Sequence, residues 1–230
     1  MSGAGSDPRR ICLVGATGLV GRSVIEAAMD QPDVRVIGVA RREMPLPPGA
    51  RMEMLVAPTS GWRDAIEAAG ASVLVCALGT TWKNAGRDEA AFRAVDFDLP
   101  LACAHAAKEV GIGHFILVSS SGADAASKNR YVRTKGEIEQ AIERLRFRRL
   151  DILRPGLLRG HRDESRPAEQ LAMLASPLLD LLLHGGLRRY RSIRASQVAR
   201  AILALSREKA AGHFIHDRDS MLRAIRRAGG

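Results

Sequence analysis

Gly15-Ala16-Thr17-Gly18-Leu19-Val20-Gly21 follows a strand-like segment, 10–14, and opens a stretch with helical spacing, 18–29. Each glycine has a separate physical task. Gly15 permits a tight turn out of the strand. Gly18 lets backbone approach a ligand, and Gly21 lets the helix lie close to the sheet. The first turn of such a helix carries amide N–H groups with no partner inside the helix, which suits an anion. Strand, turn and helix in this order predict a dinucleotide site with its pyrophosphate at the 15–21 turn.

The rest of the chain alternates in the same way. Strands are expected at 34–40, 51–56, 72–77, 114–118, 149–153 and 212–216, and helices at 61–69, 90–110, 131–145, 195–206 and 220–227. Pro100 interrupts the long helix and either bends it or starts a new one. Arg154-Pro155-Gly156 stops the sixth strand, and 167–183 reads as helix in pieces broken at Pro177. Strand–helix alternation implies an α/β fold, a doubly wound parallel sheet with helices on both faces. A ligand then belongs at the carboxyl ends of the strands.

The end of the second strand bears on the choice of cofactor. An acidic residue there would hold the ribose hydroxyls of NAD. This chain has Arg41-Arg42 instead. Guanidinium groups match a phosphate in charge and geometry, so the expectation is NADP. Leu78-Gly79-Thr80 follows the fourth strand, where glycine allows backbone to approach the same ligand.

Tyr131 and Lys135 stand four residues apart near the start of a helix and so share a face. A nearby ammonium favours the charged form of a phenol, which readies Tyr131 for proton transfer. Ser119-Ser120-Ser121 ends the fifth strand, and a hydroxyl there is placed to bind a carbonyl oxygen. The residues leave the choice among Ser119, Ser120 and Ser121 open.

Composition narrows the class. A length of 230 residues fits one large domain, with 1–9 as a flexible N-terminus and 10–230 as a single unit. The net charge of +10 attracts anions, but the arginines are dispersed and aromatics make up only 4%. Neither a recognition helix nor a base-stacking platform is in view, so nucleic acid is not expected. Cys12, Cys76 and Cys103 lack metal-ligand spacing and read as buried thiols of a reducing compartment. The histidines have no partners at ligand spacing, so no metal is assigned. No apolar signal core or membrane-length stretch is seen, and the expected location is cytoplasmic.

With these motifs in order, the chain resembles the short-chain dehydrogenase/reductase superfamily in its atypical branch, over residues 11–166. Within that branch it is similar to NADP-binding oxidoreductases related to the HIV Tat-interacting protein. The resemblance rests on the 15–21 turn, on 115–123 continuing to Tyr131-Val-Arg-Thr-Lys-Gly-Glu137, and on Leu153-Arg-Pro-Gly156 leading into 162–166. It implies a Rossmann fold with a small C-terminal substrate cap, and a dinucleotide held by Gly15, Thr17, Gly18, Leu19, Val20 and Gly21. It also implies that Tyr131 exchanges a proton with the substrate and that Ser121 or Ser120 polarises the carbonyl. Lys135 would reach the nicotinamide ribose, and Pro155 and Gly156 would lie beside the nicotinamide. Two departures stand out. Val56-Ala57-Pro58 replaces an Asp often found near the adenine, and only nine residues separate Ser121 from Tyr131.

The expected function is hydride transfer between NADP(H) and a small carbonyl or alcohol, with 157–194 as the cap over the substrate. The rival is a non-catalytic NADP-binding scaffold that senses redox state or binds a protein partner. A homodimer has no distinct mark in the sequence.

Overall fold

The computed structural model describes residues 7–50, 52–160 and 190–229. Seven parallel strands form one sheet: β1 (Arg9–Val14), β2 (Val34–Ala40), β3 (Met52–Val56), β4 (Val73–Cys76), β5 (His114–Val118), β6 (Arg149–Leu153) and, from the C-terminal part, a strand at Gly212–His216. A short pair, β7 (Leu158–Arg159) and β8 (Ile193–Arg194), forms a separate two-stranded sheet, so the Gly212–His216 strand is β9. The order across the large sheet is β3-β2-β1-β4-β5-β6-β9. The direction of winding reverses between β1 and β4.

Alternation within the strands sorts side chains to two faces. Ile11, Leu13, Val75, Ile116 and Leu153 face α1 (Leu19–Met29) and the two late helices, at Ala195–Leu205 and Arg218–Ala228. Cys12, Val14, Leu74, Cys76, Phe115 and Ile152 face the other core, built with α2 (Trp62–Ala68), α4 (Leu99–Glu109) and α5 (Arg130–Glu143). Burial on both sides explains why these strands are near-continuous apolar runs. The late helices are α6 and α7 in chain order, after the short α3 (Glu89–Arg93).

The long helix expected at 90–110 is divided. It runs as α3, then a π-helical turn at Ala94–Asp98, then α4 with Pro100 in its first turn. Pro100 has no N–H for an α-helical bond to the Asp96 carbonyl, and the wider turn lies at that gap. The turn carries Asp96 into the interior, where it is 1% exposed.

Buried charge also ties the last strand into the sheet. Asp151 of β6 is wholly buried, with Nε2 of His114 at 2.7 Å and Nε2 of His216 at 2.7 Å. Arg149 donates to both of its oxygens, from Nε at 2.6 Å and Nη2 at 2.9 Å. Burial opposes the charge on Asp151, but these donors outweigh it and hold the carboxyl well below its ordinary range.

Among the described residues, no helix is long and apolar enough to cross a membrane. The middle of the 157–194 segment, with His161, Pro177 and His184, lies outside the described residues. Its two roots are β7 and β8, which pair side by side.

Candidate active site

The 15–21 turn sits where the sheet reverses. Gly15 has φ +88°, and a Cβ there would lie 2.5 Å from the carbonyl carbon of Ala77. A Cβ on Gly21 would lie 2.2 Å from the Gly15 oxygen. The turn, the helix and the end of β4 therefore meet backbone to backbone, which only glycine allows. Thr17 and Gly18 are exposed at the rim, while Val20 is buried in the core. Leu19 reaches the opposite wall, since a Cβ on Gly160 would lie 2.7 Å from Leu19 Cδ1.

The start of α1 fits a pyrophosphate. Its N-cap is Gly18, with no side-chain cap and no acidic residue in the first turn. The starts of α5 and α7 differ, because Asn129 and Asp217 accept N–H groups from their own first turns. The uncapped amides of α1 and its dipole are thus left to face an anion.

Leu78-Gly79-Thr80 leaves β4 next to this turn. Beneath it lies a buried ion pair. Lys135 Nζ is 2.8 Å from Asp96 Oδ1, and Asp96 Oδ2 accepts the Thr80 N–H at 2.8 Å. A Cβ on Gly79 would stand 3.4 Å from Asp96 Oδ1 and 3.6 Å from Lys135 Nζ. Burial works against the Lys135 charge, but Asp96 first and Tyr131 next hold its proton, and its pKa is raised. Lys135 is 5% exposed, whereas Tyr131, one turn earlier on α5, is 38% exposed. The Tyr131 ring rests against Phe92, with centroids 5.9 Å apart.

The three serines have separate surroundings. Ser119 is buried, and its hydroxyl donates to Glu139, which Arg154 also clamps through Nε and Nη2. Ser120 Oγ lies 3.4 Å from the Ser121 carbonyl. Ser121 donates its N–H to the Pro155 carbonyl at 2.8 Å and lines a cavity of about 380 Å³ with Arg154, Tyr190, Ile215 and Asp217. The cavity lies at the carboxyl ends of β5, β6 and β9. Gly156 passes under the chain entering β8, because a Cβ there would lie 2.3 Å from the Arg191 oxygen.

Asp96, Glu139 and Gly136 belong to this assembly and are absent from the sequence-derived set. Asp96 had one signal, a carboxylate four residues before a proline in a helical stretch. Gly136 had none, although a Cβ there would lie 2.1 Å from the Ala125 nitrogen.

A family model described as NAD(P)H-binding matches residues 15–209. "Protein fmp52, mitochondrial" of Emericella nidulans is 40% identical over 169 residues, covering 70% of this chain and 72% of that protein. MoeE5 in complex with UDP-glucuronic acid and NAD superposes with a TM-score of 0.66 at 16% identity, covering 91% of this chain and 75% of that one. UDP-glucuronic acid 4-epimerase from Bacillus cereus in complex with NAD gives 0.64 at 15% identity, covering 90% of this chain and 78% of that one.

Two expectations are corrected. The NADP assignment is overturned by solved structures of this fold that hold NAD. The physical reason lies in its basis: Arg41 and Arg42 are exposed just beyond β2, and exposed arginines there need not bind a phosphate. The cytoplasmic expectation is overturned by relatives named as mitochondrial proteins.

Proposed function

The chain belongs to the NAD(P)H-binding family, and from that premise we propose that it is an oxidoreductase that moves a hydride between NAD(H) and a small carbonyl or alcohol. The pyrophosphate would lie on the amides of the 15–21 turn, with Leu78-Gly79-Thr80, Pro155 and Gly156 along the rest of the dinucleotide. When bound there, the dinucleotide would supply or accept the hydride at the substrate carbon.

The chain's own residues handle the proton. In reduction, Tyr131 gives its phenolic proton to the carbonyl oxygen as the carbon gains the hydride, and the product is an alcohol. In the reverse direction the tyrosinate takes that proton back. Lys135 steadies the phenolate by its charge and reaches toward the nicotinamide ribose. Ser121 is favoured over Ser120 for the carbonyl, because Ser121 lines the cavity and Ser120 does not line it. Segment 157–194 would cover the substrate. The 131–137 and 153–156 stretches support a place near the HIV Tat-interacting protein-like branch of the superfamily.

The single observation that carries this reading is the buried Lys135 ammonium, held under the Leu78–Thr80 turn on the same helix as the accessible Tyr131. The test is NADH consumption by wild type and Tyr131→Phe with a panel of aliphatic and aromatic aldehydes and ketones, alongside calorimetric titration with NADH. Turnover by wild type, lost in Tyr131→Phe with NADH affinity kept, is expected. Equal turnover by the two proteins removes Tyr131 from the chemistry. Tight NADH binding with no turnover on any carbonyl favours the scaffold.

A further inference from the structure

Asp96 is the one carboxylate in contact with Lys135 among the described residues. Three chain segments meet at it. The π-helical turn delivers the side chain, the exit from β4 supplies the Thr80 N–H, and α5 supplies the ammonium. Asp96 is 1% exposed and Lys135 is 5% exposed, so water does little to screen the pair. A carboxylate in such a place, with no counter-charge, would be expelled or protonated. An ammonium there without a carboxylate would tend to lose its proton.

We propose that Asp96 is a positioning residue, which keeps Lys135 charged and fixed beneath the Leu78–Thr80 turn so that the ammonium serves both the cofactor ribose and Tyr131. The inference rests on the Tyr131–Lys135 reading above and extends it to a residue on a different helix. The groups that face Lys135 are Asp96 from the π-helical turn, Tyr131 from its own helix and the Cys76 thiol from β4. Of these, Asp96 brings the carboxylate that pairs with the ammonium, while the thiol is pushed up to about 11 by burial. Holding the ammonium in place by an ion pair also fixes the distance between α5 and the cofactor turn. The Thr80 N–H bond makes any movement of that turn a movement of Asp96.

The test uses Asp96→Asn, which keeps the shape and an acceptor for Thr80 but removes the charge. The pH at which Lys135 loses its proton is followed by NMR of the labelled lysine side chain, and the pH profile of NADH-dependent turnover is recorded in parallel. The expected result is a fall of about 1–3 pH units in the Lys135 titration. The alkaline limb of turnover should move down with it. Unchanged Lys135 titration in a folded Asp96→Asn protein overturns the proposal, whatever Tyr131→Phe does. If Tyr131→Phe keeps full turnover while the Lys135 titration still falls, the catalytic reading fails and the role of Asp96 in holding the charge survives. Should Asp96→Asn not fold, titration of Lys135 in wild type decides: a proton lost below the ordinary lysine range overturns the proposal, and one retained above it supports it.

Discussion

The carboxylate of Asp151 lies 2.7 Å from the imidazole of His216, and this contact pins the edge strand β9 to β6. The same carboxylate carries Arg149 and His114, so one buried charge serves three partners.

Asp151→Asn should destabilise the protein by about 3–5 kcal/mol at neutral pH, because Arg149 would be left buried without its counter-charge. The sign with pH follows from the lowered carboxyl. Stability from the ionised form is complete above the unfolded value of 3.8 and is lost as pH falls from there toward the lowered native value. Urea midpoints at neutral pH and near the acid end of that window check both points. Wild type should lose more on acidification than Asp151→Asn, and equal losses would remove Asp151 from the acid response.

Burial pushes the thiol of Cys12 up to about 12 and that of Cys76 up to about 11. Thiolates are therefore scarce at pH 8, and access is closed as well. A thiol-specific disulfide reagent should leave Cys12, Cys76 and Cys103 unmodified in native protein and label all three in denaturant. Rapid labelling without denaturant would show that the core around β1, β4 and α4 opens readily.

Gly136→Ala places a methyl 2.1 Å from the Ala125 nitrogen and 2.3 Å from the Asp124 carbonyl carbon. Backbone cannot yield that distance, so α5 must shift. A loss of about 1–3 kcal/mol in urea unfolding is expected. Turnover should fall further than stability alone explains, because Lys135 is the adjoining residue. A stable, fully active Gly136→Ala protein would mean that the placement of α5 is not critical.

Arg41 and Arg42 are exposed, so removing them should matter little to NAD. The double change to alanine is expected to alter NADH affinity by less than about fivefold, as is usual for exposed charge. Wild type should bind NADH at least as tightly as NADPH. Calorimetry of both proteins with both cofactors checks this, and a clear preference for NADPH would reverse the cofactor assignment.

Much of the sheet was legible because its strands are short apolar runs bounded by turn residues, as in Ile11–Val14 and Phe115–Val118. The 15–21 turn was legible because each glycine answers a local steric need. Asp96 was not, because a helical period gives an isolated carboxylate to solvent, and only the π-helical turn brings it inward. Arg149, Asp151, His114 and His216 lay in plain sight as charged or polar residues inside interior strands. Their mutual pairing depends on strand order, which a local reading does not resolve. The cofactor reading failed for a related reason: the two arginines were read by type, and their exposure depends on how β2 ends.

The face of the sheet behind the glycine turn has a kinetic consequence. Val20, Val24 and Ile25 of α1 are buried against Val198, Ala199 and Ile202 of α6. These partners come from opposite ends of the described chain, so closing this core requires a large loop to be ordered first. During synthesis, α1 emerges early and must wait for α6 with its apolar face uncovered. That interval is when the nascent chain is most exposed to aggregation and chaperone capture. A ribosome-bound chain halted before α6 has emerged would display the cofactor turn on a helix that has nothing yet to lean on.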